Sequence, residues 1–186
     1  MRLRNWSWIG WLALIGCGGG TLWAPMDGGR GDWLATGGPN GRVAVHLDGP
    51  TPPLELLWSK DTDSPPVGGA LLAGSVLVQV GQTDRIQAFD LTDGNRLGRK
   101  GTDGSACGPG AIFGRLGELL VLPEVGKKDR LRAYDRRTRK MVWQLDTRAC
   151  APMAGIGDTV LAVTEEAQLL ALASADGEQL WAASLP

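Results

Sequence analysis

The sequence predicts an all-β fold in which one small antiparallel sheet recurs along the chain, and three observations carry that reading. Glycine supplies 28 of the 186 residues and proline 11. Both punctuate turns, so many short strands are expected rather than long helices. Two residue columns repeat at near-constant spacing, and Asp-Gly pairs fall between strands where tight hairpins need them.

The first column is Ala88, Ala133 and Ala171, each followed by a large apolar residue. Ten residues past each alanine stand Gly98, Trp143 and Trp181, with Trp58 as the forerunner of this second column. The second column is spaced at 40, 45 and 38 residues, the size of one four-stranded propeller blade. Apolar, β-branched runs at 70–80, 117–122 and 158–163 read as strands. Each precedes an alternating strand, at 85–90, 130–135 and 168–173, which a turn joins to the second column. Asp93-Gly94 and Asp176-Gly177 supply two of those turns, because glycine accepts positive φ. The middle copy has Thr138-Arg139 there, so a longer or less regular turn is expected.

A tryptophan in a blade strand has a physical task. It fills the wedge between neighbouring twisted sheets while its indole N–H finds a carbonyl. Trp58, Trp143 and Trp181 are therefore assigned to blade packing, and Gly98 predicts a looser junction. The fold class that follows is a partial β-propeller of four-stranded blades, about three of them, plus an N-terminal strand segment.

These residues resemble the PQQ-like (quinoprotein-like) β-propeller repeats, whose unit runs apolar strand, Ala-Leu-Asp, Thr-Gly turn, Trp strand. Ala88-Phe89-Asp90, Ala133-Tyr134-Asp135 with Thr138, and Ala171-Leu172 with Trp181 carry the match. Residues 32–41 look like the lead-in of such propellers, and Pro53–Trp58 like their first blade strand, so the resemblance spans 32–186. Rings of this family close with seven or eight blades and need about 300 residues. The repeats at 32–186 are thus expected to be incomplete, or to close by self-association. The chain is also similar to the BamB family of outer-membrane assembly lipoproteins. That resemblance implies a non-catalytic scaffold whose rim binds periplasmic domains of a partner.

The N-terminus reads as an address. Arg2 and Arg4 precede an apolar run from Trp6 to Ile15, about the size of a signal-peptide core and too short for an ordinary membrane span. Leu14-Ile15-Gly16-Cys17 looks like a bacterial lipobox, which makes Cys17 the lipidated first residue after removal of 1–16. Residues 17–31 are expected to be a flexible tether. No aspartate follows Cys17, so by analogy with enterobacterial sorting the destination is the bacterial outer membrane, facing the periplasm.

With Cys17 acylated, Cys107 and Cys150 remain as an even pair in an oxidising compartment. A structural disulfide between them is the expectation, with two separate buried thiols as the alternative, because sequence does not give the Cα separation. Net charge is −1, which gives no support to a nucleic-acid partner. The lone histidine, His46, excludes multi-histidine metal sites, and no nucleophile elbow, Walker loop or zincin motif is present. No catalytic, cofactor-binding or metal-ligating residue is assigned. Asp61 and Asp63 are read as solvated loop residues rather than a cation site. The alternatives are a PQQ-dependent dehydrogenase and a ligand- or polymer-sensing propeller. Residues Lys127 to Lys140 hold eight cations against Asp129 and Asp135. They are read as hairpins facing water, with a patch for anionic headgroups or an acidic partner loop as the sharper alternative.

Overall fold

The structure, a computed structural model, describes residues 19–24, 26, 32–36 and 52–186. The proposed signal peptide, Cys17, His46 and residues 37–41 of the lead-in lie outside them. Among the described residues every regular element is a strand. Blade 1 is β1 (Leu71–Ala73), β2 (Val76–Gly81), β3 (Arg85–Asp90) and β4 (Arg96–Gly101). Blade 2 begins with the short β5 (Ser105–Ala106) and β6 (Ala111–Phe113), which both pair with β7 (Leu119–Val125). It continues through β8 (Arg130–Asp135) to β9 (Met141–Leu145). Blade 3 is β10 (Ala154–Ile156), β11 (Thr159–Val163), β12 (Gln168–Ala173) and β13 (Gln179–Ser184). All strand pairings are antiparallel and, apart from β5 with β7, join consecutive strands, giving an open, partial β-propeller.

The two sequence columns are cross-strand partners. Ala88 faces Gly98, Ala133 faces Trp143 and Ala171 faces Trp181, and in each sheet the register shifts immediately after the alanine. All three alanines are fully buried. A larger side chain there would collide with the adjoining blade, since interiors are close-packed.

Strand alternation then builds two separate cores. Leu71, Val76, Val78 and Ile86 of blade 1 meet Ile112, Leu120, Leu122 and Tyr134 of blade 2. The opposite face of blade 2, with Val121, Leu131, Ala133 and Trp143, meets Val160, Ala162, Leu170 and Leu172 of blade 3. Each sheet is thus buried by its neighbours and not by a common centre.

The wedges at the blade edges are filled in two ways. Trp58 donates its indole N–H to Leu91 O at 2.9 Å, and Trp143 donates to Ser174 O at 2.8 Å. Each ring lies flat on a positive-φ glycine, Gly94 or Gly177, where a Cβ would overlap it. Trp181 has the same register but is 47% exposed, and β13 is exposed along its whole length.

Gly98 is not a loose junction. Gly20 pairs with it across the blade edge, and a Cβ on Gly98 would strike the backbone of Thr21. Residues 19–24, read from sequence as tether, are docked there: Thr21 N–H donates to Leu97 O and Arg99 N–H to Gly19 O. Leu22 is fully buried in the core between blades 1 and 2. Further on, Trp33 exchanges two backbone hydrogen bonds with Leu72, and Ile112 N–H donates to Leu34 O. The N-terminal segment therefore touches this junction both at its outer strand and at the short strands β1 and β6.

Three local expectations change. Residues 70–80 are a hairpin, not one strand, because Gly74 turns at φ 61° between β1 and β2. The Thr138-Arg139 turn has the same hydrogen bonds as its glycine counterparts: Asp135 N–H to Lys140 O and Arg139 N–H to Asp135 O. Arg139 takes the glycine's role at φ 60°, a conformation that costs a non-glycine residue about 1–2 kcal/mol. The Asp135 carboxylate accepts from the backbone N–H of Arg137 and Thr138 and holds the turn. Finally, Pro53–Trp58 forms no ladder, and Leu54, Leu56 and Leu57 are exposed because no described strand lies beside them.

Cys107 and Cys150 are bonded, with Cα atoms 5.2 Å apart. The bond joins the segments leading into the first long strands of blades 2 and 3. Closing a loop of 43 residues stabilises the folded state by about 4 kcal/mol in the chain-entropy treatment. The Cys107→Ser/Cys150→Ser chain is therefore expected to lose about 2–4 kcal/mol in urea unfolding. Trp143→Ala should cost about 3–5 kcal/mol by removing a buried indole and its hydrogen bond, whereas Trp181→Ala, half exposed, should cost less than half as much. Equal losses at the two tryptophans would contradict this account of blade packing.

Candidate functional site

The junction between blades 1 and 2 gathers the buried charge of the described residues. Glu124 on β7 and Arg132 and Tyr134 on β8 share the face of blade 2 that also carries Leu120 and Leu122. Period-2 alternation of strand side chains puts them there. Arg132 Nη1 donates to Glu124 Oε2 at 2.8 Å and forms an ion pair with Asp103 Oδ2 at 3.0 Å. The Tyr134 hydroxyl donates to Glu124 Oε1 at 2.5 Å. From blade 1, Lys100 Nζ sits over the Tyr134 ring, 4.8 Å from its centroid.

Burial sets the electrostatics. Glu124 is 2% exposed and Arg132 3%. Desolvation raises the Glu124 pKa, and the bonds from Tyr134 and Arg132 offset only part of that rise. The Tyr134 phenol is pushed well above its usual 10, by burial first and by the adjoining carboxylate second. Arg132 Nε has no hydrogen-bond partner among the described residues, so the network is not saturated.

This cluster forms the floor of a cavity of about 460 Å³ at the rim. Asp103, Gly104, Glu124, Gly126, Lys127, Lys128, Arg130 and Arg132 line it. Four cations against two carboxylates favour an anionic group, and a planar guanidinium suits a carboxylate or phosphate. Arg130 and Lys128 are held by Asp146 at 3.0 and 3.8 Å, which leaves Lys127 as the pocket cation without an ion pair among the described residues.

The rest of the basic run lies elsewhere. Arg137, Arg139 and Lys140 belong to the β8–β9 turn, at the opposite end of the strands from the pocket. Arg136 is fully buried, donating to Leu22 O at 3.0 Å and to Gly117 O at 2.5 Å. Burial lowers its pKa to about 10, and it remains charged at neutral pH. It stands three residues past Ala133, as Leu91 and Ser174 stand past Ala88 and Ala171, so the guanidinium occupies the wedge that lacks a tryptophan. The reading of this run as water-facing hairpins therefore fails for Arg132 and Arg136. An available signal was missed: Arg132 shares strand parity with Tyr134, whose aromatic ring belongs in a core.

Other sequence candidates are placed differently. Asp63 is ion-paired with Arg96 at 3.1 Å and stands 4.0 Å from Arg85. Among the described residues no three His, Cys, Asp or Glu side chains converge as a metal site.

Residues 127–186, from the β7–β8 turn through blade 3, match the sequence profile of the family described as outer membrane protein assembly factor BamB. Among solved structures, BamB from Moraxella catarrhalis superposes with a TM-score of 0.60 at 21% identity, over 69% of this chain and 40% of that one. The chain carries PQQ-like β-propeller repeats and resembles BamB. The quinohemoprotein alcohol dehydrogenase ADHIIG of Pseudomonas putida HK5 gives 0.62 at 17% identity, over 84% of this chain and 27% of its own. A europium-containing methanol dehydrogenase gives 0.54 at 17% identity, over 69% and 27%. At these identities the likeness shows the fold. The PQQ-like array spans about two fifths of that BamB and about a quarter of the dehydrogenases. No curated protein sequence matches the chain.

Tyr134 is the only tyrosine in the sequence, so phenolate absorbance near 295 nm reads this cluster alone. The folded chain should ionise well above pH 10, and the urea-unfolded chain near 10. Because the folded-state pKa is the higher one, stability should fall as pH rises past 10, where only the unfolded chain loses its proton. Glu124→Gln should bring the folded phenol down toward its usual value. A folded chain that ionises at pH 10 would exclude the buried Tyr134–Glu124 bond.

Proposed function

We propose that this protein is a non-catalytic, lipid-anchored envelope protein whose PQQ-like propeller serves as an interaction scaffold. Its setting would be outer-membrane protein assembly, on the periplasmic face of the outer membrane. The family match over 127–186 carries this reading, because that stretch includes the β7–β8 turn and β8, which together supply the pocket's four cations. Rigid sheets hold such turns in fixed positions, so a rim can recognise a partner without a reacting group. A net-cationic pocket with a saturable guanidinium floor suits an acidic loop of a partner domain. Trp58, Trp143 and Trp181 act as blade-packing residues in this reading, and Cys17 bears the acyl anchor.

A PQQ-dependent oxidoreductase remains the second reading, because the dehydrogenase superposes as well as BamB does. The cysteines favour the scaffold: they join positions 43 residues apart, whereas the quinoprotein resemblance implies adjacent cysteines beside the cofactor.

A photo-crosslinking residue at position 128 in cells is expected to trap a periplasmic domain of the outer-membrane assembly apparatus. The added charge change Lys127→Glu should lower that yield severalfold. Equilibrium dialysis with pyrroloquinoline quinone should show no saturable binding. Stoichiometric quinone uptake, or failure to trap any envelope protein at this rim, would overturn the scaffold reading.

A further inference from the structure

The docked N-terminal segment fixes where an anchor at Cys17 must leave the propeller. Arg99 N–H donates to Gly19 O at 2.7 Å and Thr21 N–H to Leu97 O at 2.9 Å, so residues 19–21 run antiparallel to β4 along its outer edge. Cys17 is two residues before Gly19, and two residues of chain span at most about 7 Å. An acyl group on Cys17 therefore cannot stand far from this edge, whatever path the intervening residue takes.

The edge has the charge of a membrane-facing surface. A recess of about 330 Å³ beside Gly19 is lined by Arg99, Lys100, Gly101, Thr138 and Arg139. No carboxylate lines it, and the Arg139 guanidinium approaches Gly19 itself. Arg99, Arg139 and the adjacent Lys140 have no ion-pair partner among the described residues, unlike Arg137 and Arg96, which are held by Asp135 and Asp63. Unpaired cations within a Debye length of a bilayer feel its negative surface potential.

We propose that this outer edge of blades 1 and 2 rests on the membrane, with the Arg99–Lys100–Arg139 recess taking an anionic phospholipid headgroup. The inference deepens the scaffold reading and rests on its placing an acyl anchor at Cys17. It also turns the rim pocket at the other end of the β7–β8 hairpin toward soluble partners.

The test uses the full chain carrying Cys17→Ser, so that no acyl group contributes, in co-sedimentation with vesicles. Binding to phosphatidylglycerol-containing vesicles should exceed binding to pure phosphatidylcholine by at least about tenfold and weaken with salt. Arg99→Glu with Arg139→Glu should abolish most of that difference, while the equal charge change Arg115→Glu with Arg148→Glu should not. Arg99→Gln with Arg139→Gly is a second variant: glycine suits the positive φ at 139, so lost binding there cannot be laid to misfolding. Equal binding to both vesicle types, or equal loss in the Arg115/Arg148 chain, would overturn the proposal. Mass spectrometry of the mature chain from cells separates the two ideas. An unacylated Cys17 removes the anchor reading, and the vesicle comparison still decides the surface.

Discussion

Twisted sheets packed face to face diverge toward their edges, and that wedge governs this molecule. Each strand turns relative to its neighbour, so a blade that touches the next along its middle leaves a gap at its rim. A gap too small for water simply forfeits contacts, so something must fill it. Trp58 and Trp143 fill theirs with an indole whose polar edge is satisfied by the next blade's turn carbonyl. Between blades 1 and 2 the tryptophan is replaced by Gly98, and Leu22 with the Arg136 side chain fills the space instead. The same constraint has met two solutions, one intrinsic to the repeat and one borrowed from a distant segment.

The borrowed solution changes the character of the junction. Between blades 2 and 3 the interior is apolar and the disulfide ties the two blades together. Between blades 1 and 2 the apolar centre is flanked by Arg136 near one end and by Glu124, Arg132 and Tyr134 at the other. Buried charge is costly unless each group is bonded, and here Arg132 Nε and Arg136 Nη2 stay unpartnered among the described residues. An incompletely satisfied guanidinium beneath an open cavity is a feature that stability alone does not require. Recognition of an anionic group supplies a reason for it, and links the packing irregularity to the functional rim.

Much of this was legible in the chain, for reasons that can be traced to particular residues. The ten-residue offset from Ala88, Ala133 and Ala171 is the path around one hairpin to the facing residue, so a column in sequence became a pair in space. The strand runs at 117–122 and 158–163 recur as β7, whose continuous apolar run suits a strand buried on both faces, and β11, where burial alternates along the strand. Local chemistry misled where context supplied the missing part. Arg139 adopts a glycine conformation in a turn that the Asp135 carboxylate holds through two backbone N–H groups, a contact outside the Thr138-Arg139 pair itself. The three-residue strands β6 and β10 are too short to show a period. The even pair Cys107 and Cys150 pointed to a disulfide once Cys17 was set aside, and their Cα separation of 5.2 Å places them within bonding reach.

The sequence by itself determined the sheet module, its repeat and its turns, because these rest on contacts between residues close along the chain. Only the tertiary structure decided the fate of residues 19–24 and of Arg132 and Arg136. The burial of Leu22 and Arg136 depends on the room at Gly98 and on a contact between distant segments, as the Arg136–Leu22 bond at a separation of 114 shows, while that of Arg132 depends on Glu124 and the adjoining blade. A glycine in a strand can mean weakness or room, and the choice between them lies with whatever else the chain brings to that place.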